Sequence, residues 1–115
     1  MQSVTLPNPL STNMLYYNKA KKGRVKSNAY KAWIREAGAE ILASGMRPIK
    51  GPVFVSITVS TKSRNDIDNN AKCVLDLLES QGIIENDKLV EGLHISKADR
   101  LGALVVVGSV IEVAA

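Results

Sequence analysis

The stretch "PVFVSITVSTKSRNDIDNNAKCVLDLLESQG", residues 52–82, decides the fold. Its opening is rich in β-branched side chains and predicts a strand from Pro52 to Ser60. Its second half predicts a helix, because Ala71, Val74, Leu75 and Leu78 fall at i, i+3, i+4 and i+7 and make one apolar face. Lys72, Asp76 and Glu79 share the opposite side, and Gly82 is a natural stop. Between strand and helix lies a polar turn that carries Asp66 and Asp68 directly after Arg64 and Asn65.

Upstream, "SVTLP" alternates weakly and ends at Pro7, as a first strand would. The following "PNPLSTNMLYYNKAKKGRVKS" is rich in Pro, Asn, Ser and Lys, and predicts a long excursion with a ribbon turning at Lys22 and Gly23. Loops of that length in a small domain are usually functional. Ser27 is placed to cap a helix whose Tyr30, Ile34, Ala37 and Ile41 recur at helical spacing, with Gly45 as its end. Downstream, "IIENDK" turns, and "LVEGLHIS" and "ALVVVGSVIEV" read as two closing strands. The order β, loop, α, β, α, β, β predicts an α/β fold with a mixed β-sheet and two main helices packed on it. At 115 residues the chain holds one compact domain, residues 1–115, with a single core.

Composition narrows the class. An apolar share of 45% with 23% charged residues is ordinary for a soluble globular protein. No apolar run approaches the roughly 20 residues that a membrane helix needs. The N-terminus has neither the basic nor the hydrophobic region of a signal peptide, so a cytosolic location is expected. Cys73 is the only cysteine, which excludes an internal disulfide and a cysteine-based zinc site. The net charge of +4 is unevenly spread: no acidic residue precedes Glu36, whereas Lys19, Lys21, Lys22, Arg24, Lys26, Lys31 and Arg35 all do. Such a local basic field suits a polyanion such as nucleic acid. Its ordinary alternative is a solvated basic loop.

Asp66 and Asp68 sit where a strand hands over to a helix. In extended backbone, residues i and i+2 point to one side, so both carboxylates would converge on one point. Two close anions repel unless a cation lies between them, and hard oxygen donors without His or Cys suit Mg²⁺ or Mn²⁺. Glu85 and Asp87, in the turn after the helix, are further carboxylates for the same spot. A calcium loop fails, because its glycine and glutamate positions hold Ala71 and Leu77. The plainer reading is an Asp N-cap beside a solvated neighbour. Lys72 weighs against it, since a lysine in a first turn opposes the helix dipole. Holding a phosphate, or stabilising a phosphoryl transition state, would give it a reason to be there. A Lys72–Asp76 pair at i,i+4 is the bland alternative, worth only tenths of a kcal/mol.

The run "DIDNNAKCVLDLLESQGIIENDKLV" resembles the RusA family of Holliday-junction resolvases, found in bacteria and their prophages. Asp66, Asp68, Asn69, Lys72, Asp76, Gly82 and Asp87 fall on that family's pattern, and "LPNPLSTNMLYYNKAKKGRVKS" is similar to its opening. Asn86 departs from relatives that carry Asp there. The resemblance implies a homodimeric, Mg²⁺-dependent endonuclease that resolves four-way DNA junctions by paired symmetric nicks during recombination and repair, in the cytoplasm of a bacterium or from a phage genome. It implies Asp66, Asp68 and Asp87 as metal ligands, and Lys72 as the group that steadies phosphate or leaving group. Asp76 and Asn69 would stand behind them.

The DNA grip would come from Lys19, Lys21, Lys22, Arg24, Lys26 and Arg64, with Tyr17 or Tyr16 stacking on unpaired bases and one of those two tyrosines packing in the ribbon. Trp33 is expected in the core or a dimer interface, His94 in a structural role, and Cys73 as a small buried residue. Two rivals stand beside this reading: a non-catalytic junction-binding recombination accessory protein, and a small metal-dependent phosphodiesterase with a substrate other than DNA.

Overall fold

A computed structural model describes residues 1–111. Its six strands and two helices run β1 (Gln2–Leu6), β2 (Tyr16–Lys19), β3 (Gly23–Lys26), α1 (Asn28–Ser44), β4 (Val53–Ser60), α2 (Ala71–Ser80), β5 (Val90–Ala98) and β6 (Ala103–Ser109). Four strands form one sheet in the order β1-β6-β4-β5, and β2 and β3 form a separate ribbon. The sheet is mixed, as its sequence predicts: β5 runs parallel to β4, whereas β6 is antiparallel to both β4 and β1. No helix among the described residues is long and apolar enough to cross a membrane.

Alternation along β4 explains why one face of the sheet is covered. Val53, Val55, Ile57 and Val59 are fully buried, while Phe54, Ser56 and Thr58 between them are only half-buried. Ala103, Val105 and Val107 of β6 continue the buried face, and Val4 and Leu6 of β1 extend it to the edge. Tyr30, Trp33, Ala37 and Ile41 of α1 and Cys73, Val74, Leu77 and Leu78 of α2 complete the core. Each large side chain so buried is worth about 1.5–3 kcal/mol of transfer free energy.

The helix ends follow the sequence closely. The Ser27 hydroxyl accepts from the Tyr30 N–H at 3.1 Å, and Gly45 closes α1 in the left-handed conformation at φ 73°. The last strand is shorter than "ALVVVGSVIEV": β6 stops at Ser109, opposite Val53, because β4 begins there and offers no further partner. Val110 and Ile111 leave the strand, and Glu112 and Val113 lie outside the described residues. Gly102, in the turn from β5 to β6, has φ +69°, and a Cβ there would stand 2.6 Å from the Leu6 carbonyl oxygen. Gly102→Ala is therefore expected to cost about 2 kcal/mol, read as a lower denaturant midpoint with an unchanged slope.

The long N-terminal excursion is tied down by its own backbone. The Trp33 indole N–H donates to the Pro7 carbonyl at 3.1 Å, and the Asn65 amide to the Pro9 carbonyl at 3.1 Å. The Cys73 thiol lies 3.7 Å from the Leu10 carbonyl. Residues 7–10 thus clasp α1, α2 and the turn before α2 together. Trp33 belongs to the core, and burial pushes the Cys73 thiol up to about 11, which makes it an inert packing group.

Candidate active site

The turn that carries the first two aspartates is built differently from an extended segment. Asp66 has extended angles (φ −61°, ψ 146°), but Ile67–Asn70 form a 3₁₀ turn that runs straight into α2. The Asn69 N–H donates to the Asp66 carbonyl at 3.0 Å, and the fully buried Asn70 amide donates to the Asp66 and Ile67 carbonyls at 3.2 and 3.3 Å. Asp68 therefore sits inside a tight turn, and the i, i+2 rule for strands does not apply to it. The Asn65 amide bridges this turn to the N-terminal loop, donating to Asn70 Oδ1 at 3.1 Å as well as to Pro9. On the other side, the Lys97 ammonium of β5 donates to the Ser63 and Asn65 carbonyls at 3.3 and 3.1 Å.

Lys72, the second residue of α2, makes its pair with Asp76 at 3.2 Å. The hydrogen bond and charge of Asp76, helped by Tyr16 and Asp87, hold the Lys72 ammonium above the ordinary lysine value. A raised value keeps the group charged: the pair's contribution is complete below the ordinary lysine pKa of 10.5 and is lost only as pH climbs through the raised one. A pH–rate profile is thus expected to show no break from Lys72 deprotonation below pH 10.5.

Asp87 follows α2 and opens a 3₁₀ turn, Asp87–Leu89. The Glu79 carboxylate accepts its backbone N–H at 2.8 Å, and the Asn86 side chain caps the turn by accepting from the Lys88 N–H at 2.8 Å. Glu85 is spent elsewhere: its carboxylate accepts from the Gly51 N–H. The carboxylates around α2 thus fall into two groups. Asp76, Glu79 and Glu85 are engaged, whereas Asp66, Asp68 and Asp87 are exposed and have no hydrogen bond or ion pair from their side chains among the described residues.

Those three open carboxylates are the donor type a hard divalent cation prefers. Within one chain they do not gather. Asp66 and Asp68 precede the first turn of α2, while Asp87 is tied to its last turn. Asp87 nevertheless lies near enough to Lys72, in the first turn, to act on its charge. No three Asp, Glu, His or Cys side chains among the described residues stand close enough to hold a metal ion.

The basic residues are displayed on the ribbon. Lys19, Lys21, Lys22, Arg24 and Lys26 are all exposed, and Arg64 is exposed beside Asp66. The tyrosines divide their tasks: Tyr16 is half-buried, edge-on to Tyr30 at 5.7 Å with the Arg24 guanidinium 4.4 Å above its ring, and Tyr17 is exposed. His94 is exposed on the edge strand β5, away from the ribbon's charge.

Sequence reading missed Asn65, Asn70, Glu79 and Lys97 as the groups that set the two aspartate turns. The signal for Asn70 was its place between a polar turn and the first apolar residue of α2; hydrogen bonds from a β5 lysine to loop carbonyls leave no pattern in sequence. No curated protein matches the chain. The family model for Endodeoxyribonuclease RusA matches residues 7–107. A match that runs from the N-terminal clasp into the last strand takes in every element that frames Lys72, and the chain therefore belongs to the RusA endodeoxyribonuclease family.

Proposed function

We propose that this chain resolves four-way DNA junctions as a homodimer with Mg²⁺ or Mn²⁺, cutting two strands by symmetric nicks. The observation that carries the reading is the set of three unengaged carboxylates, Asp66, Asp68 and Asp87, around Lys72 in a chain of a nuclease family. Those carboxylates would hold the metal, which when bound supplies an activated water and offsets charge on the phosphate. Lys72 contributes a permanent positive charge to the same phosphate oxygens, and Asp76 fixes where that charge stands. Asn70 and Lys97 hold the Asp66–Asp68 turn in place, and Glu79 and Asn86 do the same for Asp87.

Because no three carboxylates of the described chain are grouped closely enough for a metal, a partner subunit would complete the set. A two-fold partner that brings its Asp87 turn to this chain's Asp66–Asp68 turn completes two sites at once, and the symmetry sets them in opposed orientation. The ribbon lysines and Arg24 grip backbone phosphates, which gives affinity that falls steeply with salt and reads little sequence. The test is cleavage of a four-way junction, a linear duplex and a small phosphodiester, each with and without Mg²⁺. Paired nicks in the junction alone are the expected result. Preference for duplex or small diester would overturn the resolvase reading, and tight junction binding without cutting in any metal would favour an accessory protein.

A further inference from the structure

Between the ribbon and the two helices lies a cleft of about 370 Å³ that the chemistry above does not use. That volume falls in the range of small-molecule pockets, roughly 300–1,000 Å³. Tyr16 forms one wall and Ile34 and Leu77 supply apolar surface. Lys26 from β3 joins the lining, as do Asp76 and Glu79 from α2. We propose that this cleft receives one unpaired nucleobase of the bound DNA, drawn out beside the phosphate that Lys72 faces, and favours a base with an exocyclic amino group.

Three features converge on a flat, amino-bearing guest. The Tyr16 ring is held in place by Tyr30 on its edge and Arg24 above it, so it presents a fixed aromatic surface. Asp76 and Glu79 each use one oxygen inside the protein, toward Lys72 at 3.2 Å and the Asp87 N–H at 2.8 Å, which leaves each with a second oxygen to accept a bond. Carboxylates only accept, so they complement the amino groups of cytosine, adenine and guanine, whereas thymine has none and offers two carbonyl oxygens that oppose them. Lys26 supplies a cation for the phosphate of the same nucleotide. Because the carboxylates that meet the base also hold Lys72 and the Asp87 turn, base identity is read by the groups that align the cutting site. An extruded base also costs less where pairing is already broken, as at a crossover.

The inference rests on the nuclease reading, and two measurements separate their fates. In full-length Asp68→Asn protein, junctions carrying a single 2-aminopurine at successive positions around the crossover are bound and their fluorescence followed. A rise of several-fold at one position, abolished by adding Ser80→Trp at the lip of the cleft, is the expected result. Native protein is then assayed on junctions with each of the four bases at that position, where cytosine, adenine and guanine should be cut at least about tenfold faster than thymine. Glu79→Gln keeps an oxygen for the Asp87 N–H but offers the base an NH₂ group, and is expected to reverse that order. Junction binding with flat fluorescence, or a base profile identical in native protein and Glu79→Gln, overturns the cleft alone. Failure to bind the junction at all overturns the nuclease reading and the cleft with it.

Discussion

A mixture of Asp68→Asn and Asp87→Asn subunits is expected to regain nicking of one strand of a four-way junction, although either variant alone cuts at least about 100-fold more slowly than the native protein. Both variants should still bind the junction, because the phosphate-gripping ribbon is untouched. The reasoning is geometric. If each site takes Asp66 and Asp68 from one subunit and Asp87 from the other, a mixed dimer contains one doubly altered site and one fully native site. If each subunit instead built its site alone, every site in the mixed dimer would carry one substitution and the mixture would stay inactive. Differently tagged subunits, co-expressed and purified through both tags, supply the mixed dimer. Single-strand nicking, with no resolution of the junction into two duplexes, is the signature to look for. An inactive mixed dimer that still binds junctions would place all three aspartates of a site on one chain.

Asn70 carries the second large effect. Its amide is fully buried, donates to two carbonyls and accepts from Asn65, so three of the hydrogen bonds that hold the turn pass through one side chain. Asn70→Leu keeps the volume but removes one hydrogen bond each from the Asp66 and Ile67 carbonyls and the Asn65 amide, although Asp66 keeps the Asn69 N–H and Asn65 keeps the Pro9 carbonyl. A buried group left without its partner costs about 1–3 kcal/mol and each further bond lost about 1 kcal/mol, so the expected loss is roughly 3 kcal/mol in chemical denaturation. Asn69→Ala, one residue earlier, removes a half-buried side chain and is expected to stay within about 0.5 kcal/mol. Finding the two variants equally stable would show that the turn is held by something other than the Asn70 amide.

Much of the fold was legible because its determinants are local. Ser27 and Gly45 bound α1 by cap chemistry, and the β-branched alternation of residues 53–59 marks the central strand whatever it pairs with. The site was legible in part. Lys72 stood out against the helix dipole, and the i,i+4 pair with Asp76 that the sequence offered as its plainer reading is the contact the structure shows. What could not be read is long-range. The turn at Asp68 is tight rather than extended because Asn70 folds inward to meet Asn65 and, through it, Pro9, a partner 56 residues away in sequence from Asn65. Asn86, where relatives carry Asp, reads in sequence as a departure from pattern; in the fold its short polar side chain caps the turn that presents Asp87.

The pairing of β1 with β6 has a consequence for the protein's synthesis. Gln2 lies opposite Val107, so β1 must wait for nearly the last residues of the sheet to be made before it finds its neighbour. β4, the strand that leads to the aspartate turn, likewise gains both its partners only after β5 and β6 have been made. Contacts of such long separation form late. The sheet that leads to the aspartate turn therefore closes only once β6 has been made, and a chain cut short before β6 lacks both the β1–β6 and the β4–β6 pairing.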